Sequence, residues 1–143
     1  MSNSNLKGSL RAPVVAIIPS ASLSVGTANS VASVDMGQFG NAMAIAIMGA
    51  FGTNATATLQ FQQATSEAFS DAKPIDGATP VELTADAAGV VNVRAKDLDI
   101  KNKFRFVRPL VTVGTAAVHG SVVVQGLDAR DQPAAPLTGT VVD

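Results

Sequence analysis

The chain has 143 residues, a formal net charge of −1 and no cysteine. This length fits a single domain with one core, and the missing cysteines exclude disulfides, thiolate catalysis and cysteine-ligated zinc. With only 15% charged residues, the chain lacks the basic surface that neutralises phosphates, so we expect no nucleic-acid partner. The lack of cysteine also fits a protein made in the cytoplasm.

Hydrophobic residues make up 47% of the chain and the mean hydropathy is +0.30. A monomer with so few charges would present a sticky surface, so we expect self-association, and specifically a homotrimer. The longest apolar run, residues 42–51, is too short for a membrane-spanning helix. The apolar stretch at 10–18 is short for a signal peptide. We therefore expect neither a membrane partner nor a leader.

The two ends of the chain differ in composition from its middle. Residues 1–12 are polar and without period, and residues 127–143 are rich in proline and alanine. Such segments cannot bury a core of their own. We therefore expect extended N- and C-terminal arms, held by partners, around a folded domain at residues 13–126.

Between these arms, short apolar runs alternate with glycine, asparagine, aspartate and proline. The runs lie at residues 13–18, 31–36, 42–51, 55–63, 79–84, 90–94, 104–113 and 118–125. Short strands at this spacing predict an all-β fold that is either a sandwich or a barrel. Of the two, we favour an antiparallel, jelly-roll-like β-sandwich. Residues 52–54 have the composition of a hairpin loop that joins two of the strands.

The alternation of side chains predicts which face of each strand meets the core. In 55–63, the positions that should be buried are Ala57, Leu59 and Phe61. In 42–51, the bulky positions that should be buried are Met43, Ile45 and Ile47. The alternate positions of that strand are Ala42, Ala44 and Ala46. We expect this alanine face to lie under an arm or against another subunit.

The segment 103–113, K-F-R-F-V-R-P-L-V-T-V, combines alternation with a basic cluster. Phe104 and Phe106 share one face and Lys103 and Arg105 share the other, which predicts that the phenylalanines are core residues. Basic residues interleaved with aromatics can also bind single-stranded nucleic acid. The opposite placement of the two residue types favours the core interpretation. Pro109 removes a ladder donor and predicts a bend or an edge.

Few residues carry the pattern of a chemical site. His119 is the only histidine, and its sequence neighbours offer no carboxylate or thiol, which predicts an ordinary strand residue. Asp97 and Asp99 could bind calcium, but the EF-hand pattern is missing and a solvated acidic turn is favoured. No phosphate-binding glycine pattern occurs. We expect no catalytic residue, metal or cofactor, and no enzyme activity.

Three segments carry a family resemblance. They are residues 60–72 (Q-F-Q-Q-A-T-S-E-A-F-S-D-A), 76–86 (D-G-A-T-P-V-E-L-T-A-D) and 103–113. In this order they resemble a group of small structural proteins of tailed bacteriophages and prophages. The likeness spans roughly residues 31–126. The chain departs from the family pattern at Phe106, where tyrosine is usual, and so lacks a hydroxyl there.

The resemblance implies a virion component without catalytic residues. The role it implies first is a capsid decoration or cement protein on the capsid exterior, bound to the major capsid protein of the phage. Another virion part, such as a tail, connector or head fibre base, is an alternative. The chain is also similar to discoidin-like jelly rolls that bind carbohydrate. Those sites present exposed aromatics, and the absence of tryptophan and tyrosine disfavours that alternative.

Overall fold

The structure is a computed structural model that describes residues 12–30 and 32–129. In this part of the chain the strands are β1 (Val14–Leu23), β2 (Gly26–Asn29), β3 (Val34–Asp35), β4 (Phe39–Phe51), β5 (Thr56–Ala64), β6 (Lys73–Pro74), β7 (Val81–Leu83), β8 (Ala88–Arg94), β9 (Phe106–Gly114) and β10 (Val118–Ala129). Two short 3-10 turns, Ala95–Asp97 and Ile100–Asn102, separate β8 from β9. The all-β prediction is confirmed.

The strands form two antiparallel sheets. The first sheet has the order β1-β10-β4-β8, and the second has the order β2-β9-β5-β6. Two short strands extend the second sheet, since β3 pairs with β9 and β7 pairs with β5. The buried side chains of both sheets form one hydrophobic cluster between them. The sandwich predicted from the spacing of the runs is therefore present.

The first and last strands lie near residues 13 and 126, the expected bounds of the folded domain. β1 begins at Val14, one residue after the predicted start, and β10 continues to Ala129, three residues beyond the predicted end. Residues 1–11 and 130–143 of the predicted arms lie outside the described residues. The first three residues of the predicted C-terminal arm thus belong to a strand.

The second sheet buries the face of β5 that alternation predicted. Leu59 is 0% exposed and Phe61 is 3% exposed. The predicted hairpin at 52–54 is wrong, because β4 and β5 belong to different sheets. The chain crosses from one sheet to the other there, and the amide of Gly52 donates to the Ala117 carbonyl over 2.9 Å. Asn54 has a φ of 60°, a turn conformation that asparagine tolerates.

The prediction for the two faces of β4 is wrong. Ala42, Ala44 and Ala46 are each 0% exposed, whereas Ile47 is 55% exposed. Both alternate sets of β4 are apolar, so a two-residue period could not decide between them. The second sheet supplies the bulk that the alanines lack, and small residues facing large ones fill a core well.

The prediction that Phe104 and Phe106 are core residues is also wrong. Both are half-buried, and Val107, next to Phe106, is 0% exposed on the inner face. Pro109 does not end the strand, because β9 continues through it, paired with Phe61 of β5. On its other side β9 pairs with β3 at Phe106 and Val107, and with β2 from Leu110 to Val113. Pro109 therefore lies opposite the break between those two strands, where no ladder donor is required.

Candidate functional site

The outer face of the first sheet is apolar across all four strands. Its central row, in register from β1 to β8, is Ile17, Val123, Ile45 and Val90. The row on one side is Val14, Gln125, Met43 and Asn92, followed by Leu127, Asn41 and Arg94. The row on the other side is Ser121, Ile47 and Ala88. We call these positions the outer apolar face.

The outer apolar face exposes large side chains to solvent. Ile17 is 40% exposed, Val90 is 44% exposed and Ile47 is 55% exposed. These are three of the five exposed large hydrophobic side chains in the part of the chain that the structure describes. They belong to one surface, on which Val123 and Ile45 lie between Ile17 and Val90. Single exposed apolar residues, in contrast, are usual on soluble proteins and need no explanation.

Charge is nearly excluded from this surface. Among the positions of the outer apolar face only Arg94 is charged. It lies at one corner, where its guanidinium is 3.2 Å from the Asp97 carboxylate. The remaining polar side chains are short amides and one hydroxyl. At the same end of the face, the Asp128 carboxylate accepts a hydrogen bond from the Asn41 amide. The central rows can therefore be covered by another surface without burying an unpaired charge, which would be costly.

Two glycines on the inner side of β10 show which face of the first sheet points to the core. A Cβ at Gly126 would lie 2.6 Å from the ring of Phe39, and one at Gly120 would lie 2.7 Å from the sulfur of Met48. These large side chains from β4 therefore pack against β10 backbone. The neighbouring outer positions of β10 include His119, Ser121 and Gln125, which are polar, so the parity of β10 is readable in its sequence.

The outer face of the second sheet has a different chemistry. The row in register across β2, β9, β5 and β7 is Thr27, Thr112, Thr58 and Glu82. Further along the sheet, Gln62 pairs with Arg108 and accepts a hydrogen bond from its guanidinium over 3.2 Å. We call this surface the threonine face. It has the hydrophilic character of an ordinary solvated sheet.

The cationic side chains near β9 bind carboxylates of their own chain. The Arg105 guanidinium donates to the Asp35 carboxylate over 2.9 Å, and this hydrogen bond lowers the pKa of Asp35. The Lys73 ammonium lies 2.6 Å from Asp99 and lowers the pKa of that carboxyl by the same kind of bond. Asp97 pairs with Arg94. The two carboxylates that might have shared a calcium ion thus bind different cations.

The aromatic rings in this region are covered by cations, which the sequence did not predict. The Arg105 guanidinium carbon is 5.1 Å from the centre of the Phe106 ring, so these two residues do not have separate environments. The Lys73 ammonium is 4.3 Å from the Phe104 ring, and Arg108 is 4.3 Å from the Phe69 ring. A ring that already carries a cation offers less surface for stacking a base or a sugar.

The only histidine lies at the edge of the outer apolar face. The ring of His119 is exposed and its Nε2 is 3.4 Å from the Ser20 hydroxyl. Within the described ranges, no group of three or more histidine, cysteine, aspartate or glutamate side chains could hold a metal ion. No helix in that same part of the chain is long and apolar enough to span a bilayer.

An open cleft lies where the two 3-10 turns meet the end of the second sheet. Its volume is about 400 Å³, and its lining includes Met36, Leu98, Ile100, Lys103 and Phe104. The Ile100 side chain is 63% exposed at this position. The cleft is lined by two cations, Lys103 and Arg105, of which Arg105 pairs with Asp35. No side chain in the described part of the chain has a buried polar atom without a hydrogen-bond partner. The cleft therefore has few groups that would select a specific ligand. The outer apolar face has more features that favour contact with a protein.

Comparisons of the chain with family models, with curated proteins and with solved structures find no match. The functional assignment therefore depends on the sequence and on the geometry described above.

Proposed function

We propose that this chain is a structural protein of a bacteriophage virion, a capsid decoration or cement protein that binds the major capsid protein. It would be made in the host cytoplasm and act on the capsid exterior. The observation that carries the proposal is the outer apolar face, whose central row is Ile17, Val123, Ile45 and Val90. Apolar area of this kind is characteristic of a surface that becomes buried on assembly.

The strand order also supports a jelly-roll arrangement of the sandwich. When β3 and β7 are left aside, eight strands remain, which we renumber from one to eight in chain order. The first sheet then contains strands one, eight, three and six, and the second contains strands two, seven, four and five. Sandwiches of eight strands with this arrangement consist of two interlocked Greek keys, and they occur in viral capsid proteins.

The aromatic residues support assembly over carbohydrate binding. Sugar sites use exposed aromatic rings, and this chain has six phenylalanines with no tryptophan or tyrosine. Phe61 and Phe69 are buried, with exposures of 3% and 6%. Phe104 and Phe106 are half-buried beneath cations. The described part of the chain therefore offers little aromatic surface to a sugar.

The arms have a place in the proposal as contacts with neighbouring subunits. Residues 1–12 and 130–143 would each add modest apolar and main-chain contacts, and many copies on one lattice would raise the effective concentration of every contact. The second range begins at residue 130 because residues 127–129 complete β10.

A co-sedimentation experiment tests the proposed function. Empty heads of the phage that carries the coding sequence would be incubated with the purified protein and pelleted, with bovine serum albumin as the protein control. We expect saturable binding at a fixed number of copies per head, and heads that resist heat better when the protein is bound. Protein that stays in the supernatant at every concentration would contradict the proposal.

A further inference from the structure

We propose that the outer apolar face is a contact between two copies of this chain, packed face to face about a two-fold axis. This inference deepens the proposed function, because it names the partner of that face within an assembly protein. Two properties of the face support a second copy as the occupant, namely its lack of charge and its register. Its size determines how strong the contact would be.

The lack of charge makes the face compatible with itself. In a two-fold contact the same patch occurs on both partners, so every charge near the axis meets a like charge. The central rows contain only apolar and uncharged side chains, and Arg94 stands at a corner with Asp97. The cleft near Lys103, by contrast, would bring two cations together if it met its own copy.

The register gives the face the shape of a flat and regular surface. Ile17, Val123, Ile45 and Val90 are direct cross-strand neighbours, and the next row adds Ile47 beside Ser121. Branched side chains in straight rows form ridges that interdigitate with the ridges of a second sheet about 10 Å away. The sandwich already joins its own two sheets in this way, so a second copy would repeat that packing outside.

The size of the face predicts a weak dimer. Four strands about 4.8 Å apart and seven residues at about 3.3 Å each span roughly 19 by 23 Å. Two facing copies would therefore cover roughly 900 Å² in total, below the 1,200–2,000 Å² or so of a standard specific interface. We expect a dissociation constant in the range of roughly 10–100 µM. A single shared face pairs copies by twos, whereas a homotrimer would require two different surfaces on each copy.

Sedimentation velocity from low micromolar to near-millimolar concentration tests the inference. The wild-type protein should change from monomer to dimer over this range. Ile47→Lys should weaken association by at least about tenfold, because an unpaired ammonium would be buried in the contact. The matched control is Thr112→Lys, which adds the same charge to an exposed strand position on the threonine face. It should leave the dimer unchanged.

Each other outcome decides the question. Ile47→Thr keeps a β-branched side chain and adds no charge, so it reports on the contact if Ile47→Lys fails to fold. A wild-type protein that is monomeric at every concentration, a trimer, or equal effects of the two lysine variants would overturn the inference. A dimer that does not bind heads would refute the proposed function alone. A monomer whose head binding is lost in Ile47→Lys would assign the face to the capsid protein instead.

Discussion

The two outer faces of the sandwich differ in chemistry although the sheets share one core. At the centre of the first sheet the row in register is Ile17, Val123, Ile45 and Val90. At the equivalent place in the second sheet the row is Thr27, Thr112, Thr58 and Glu82. Threonine and valine have nearly the same shape and similar strand propensity. The two rows therefore differ mainly in how well their side chains interact with water, and much less in their ability to form a strand.

The fold alone does not require the outer apolar face. The second sheet forms a stable outer surface from threonine, glutamine and arginine, so the first sheet could have done the same. An in-register row of isoleucine and valine on the outer side of the first sheet only therefore supports the proposed contact with a second copy.

The largest effect should come from truncation on the inner side of the second sheet. Phe61→Ala should destabilise the protein by about 3–5 kcal/mol, because the ring is 3% exposed and its removal leaves a cavity. Phe106→Ala is the matched control on the outer side, and it should cost about 1 kcal/mol because that ring is only half-buried. Urea denaturation of both variants measures the difference. Equal costs would mean that the inner side of β5 or the outer side of β9 has been assigned incorrectly.

An intermediate effect should come from overfilling the alanine side of β4. Ala44→Leu should cost about 1–3 kcal/mol, because the position is 0% exposed and the core has no room for three further carbons. Ile47→Leu, three residues along the same strand, should change stability by less than about 0.5 kcal/mol at an exposed position. Thermal and urea denaturation provide the measurement. A tolerated Ala44→Leu would restore the original interpretation that the alanines face outward.

The smallest effect concerns the ion pair near the start of β9. Because the hydrogen bond from Arg105 lowers the pKa of Asp35 below 3.8 in the folded state, the pair stabilises the protein above that pH. The contribution is lost as the pH falls through the folded-state pKa. Asp35→Asn keeps an acceptor for the Gly37 amide and should cost no more than about 1 kcal/mol at pH 7.

Thermal denaturation of Asp35→Asn and of the wild-type protein at neutral and at strongly acidic pH checks this sign. The two proteins should differ at neutral pH and converge in acid. A difference that grows in acid would show that the Asp35 carboxylate is not stabilised by Arg105.

The sequence predicted the fold class and one sheet face well, for a physical reason. In β5 the alternate positions are apolar and polar, so a two-residue period identifies Leu59 and Phe61 as core residues. The jelly-roll order, the domain bounds and the homotrimer remain predictions, and the two-fold contact proposed above replaces the homotrimer with a dimer.

The candidate site could not be found in the same way, because β4 is apolar on both faces. When apolar residues occupy every position of a strand, a two-residue period does not show which face points to the core. The larger side chains, at Met43, Ile45 and Ile47, indicated the wrong face. Two signals were available in the sequence. Asn41 has the same parity as Met43 and Ile45, and the inner glycines of β10, such as Gly126, indicate where large partners lie. These two signals can be combined only when the pairing of β4 with β10 is known.

Thiol labelling gives the most direct test of the central claim, that the outer apolar face is covered by a second copy. The chain contains no cysteine, so Ile47→Cys and Thr112→Cys each introduce a single reactive group without background. The labelling rate of each variant would be measured with a maleimide below and above the concentration at which dimers form. We predict that the thiol at position 47 becomes protected at high concentration while the thiol at position 112 keeps its rate. Equal rates at both positions across the whole range would contradict the account.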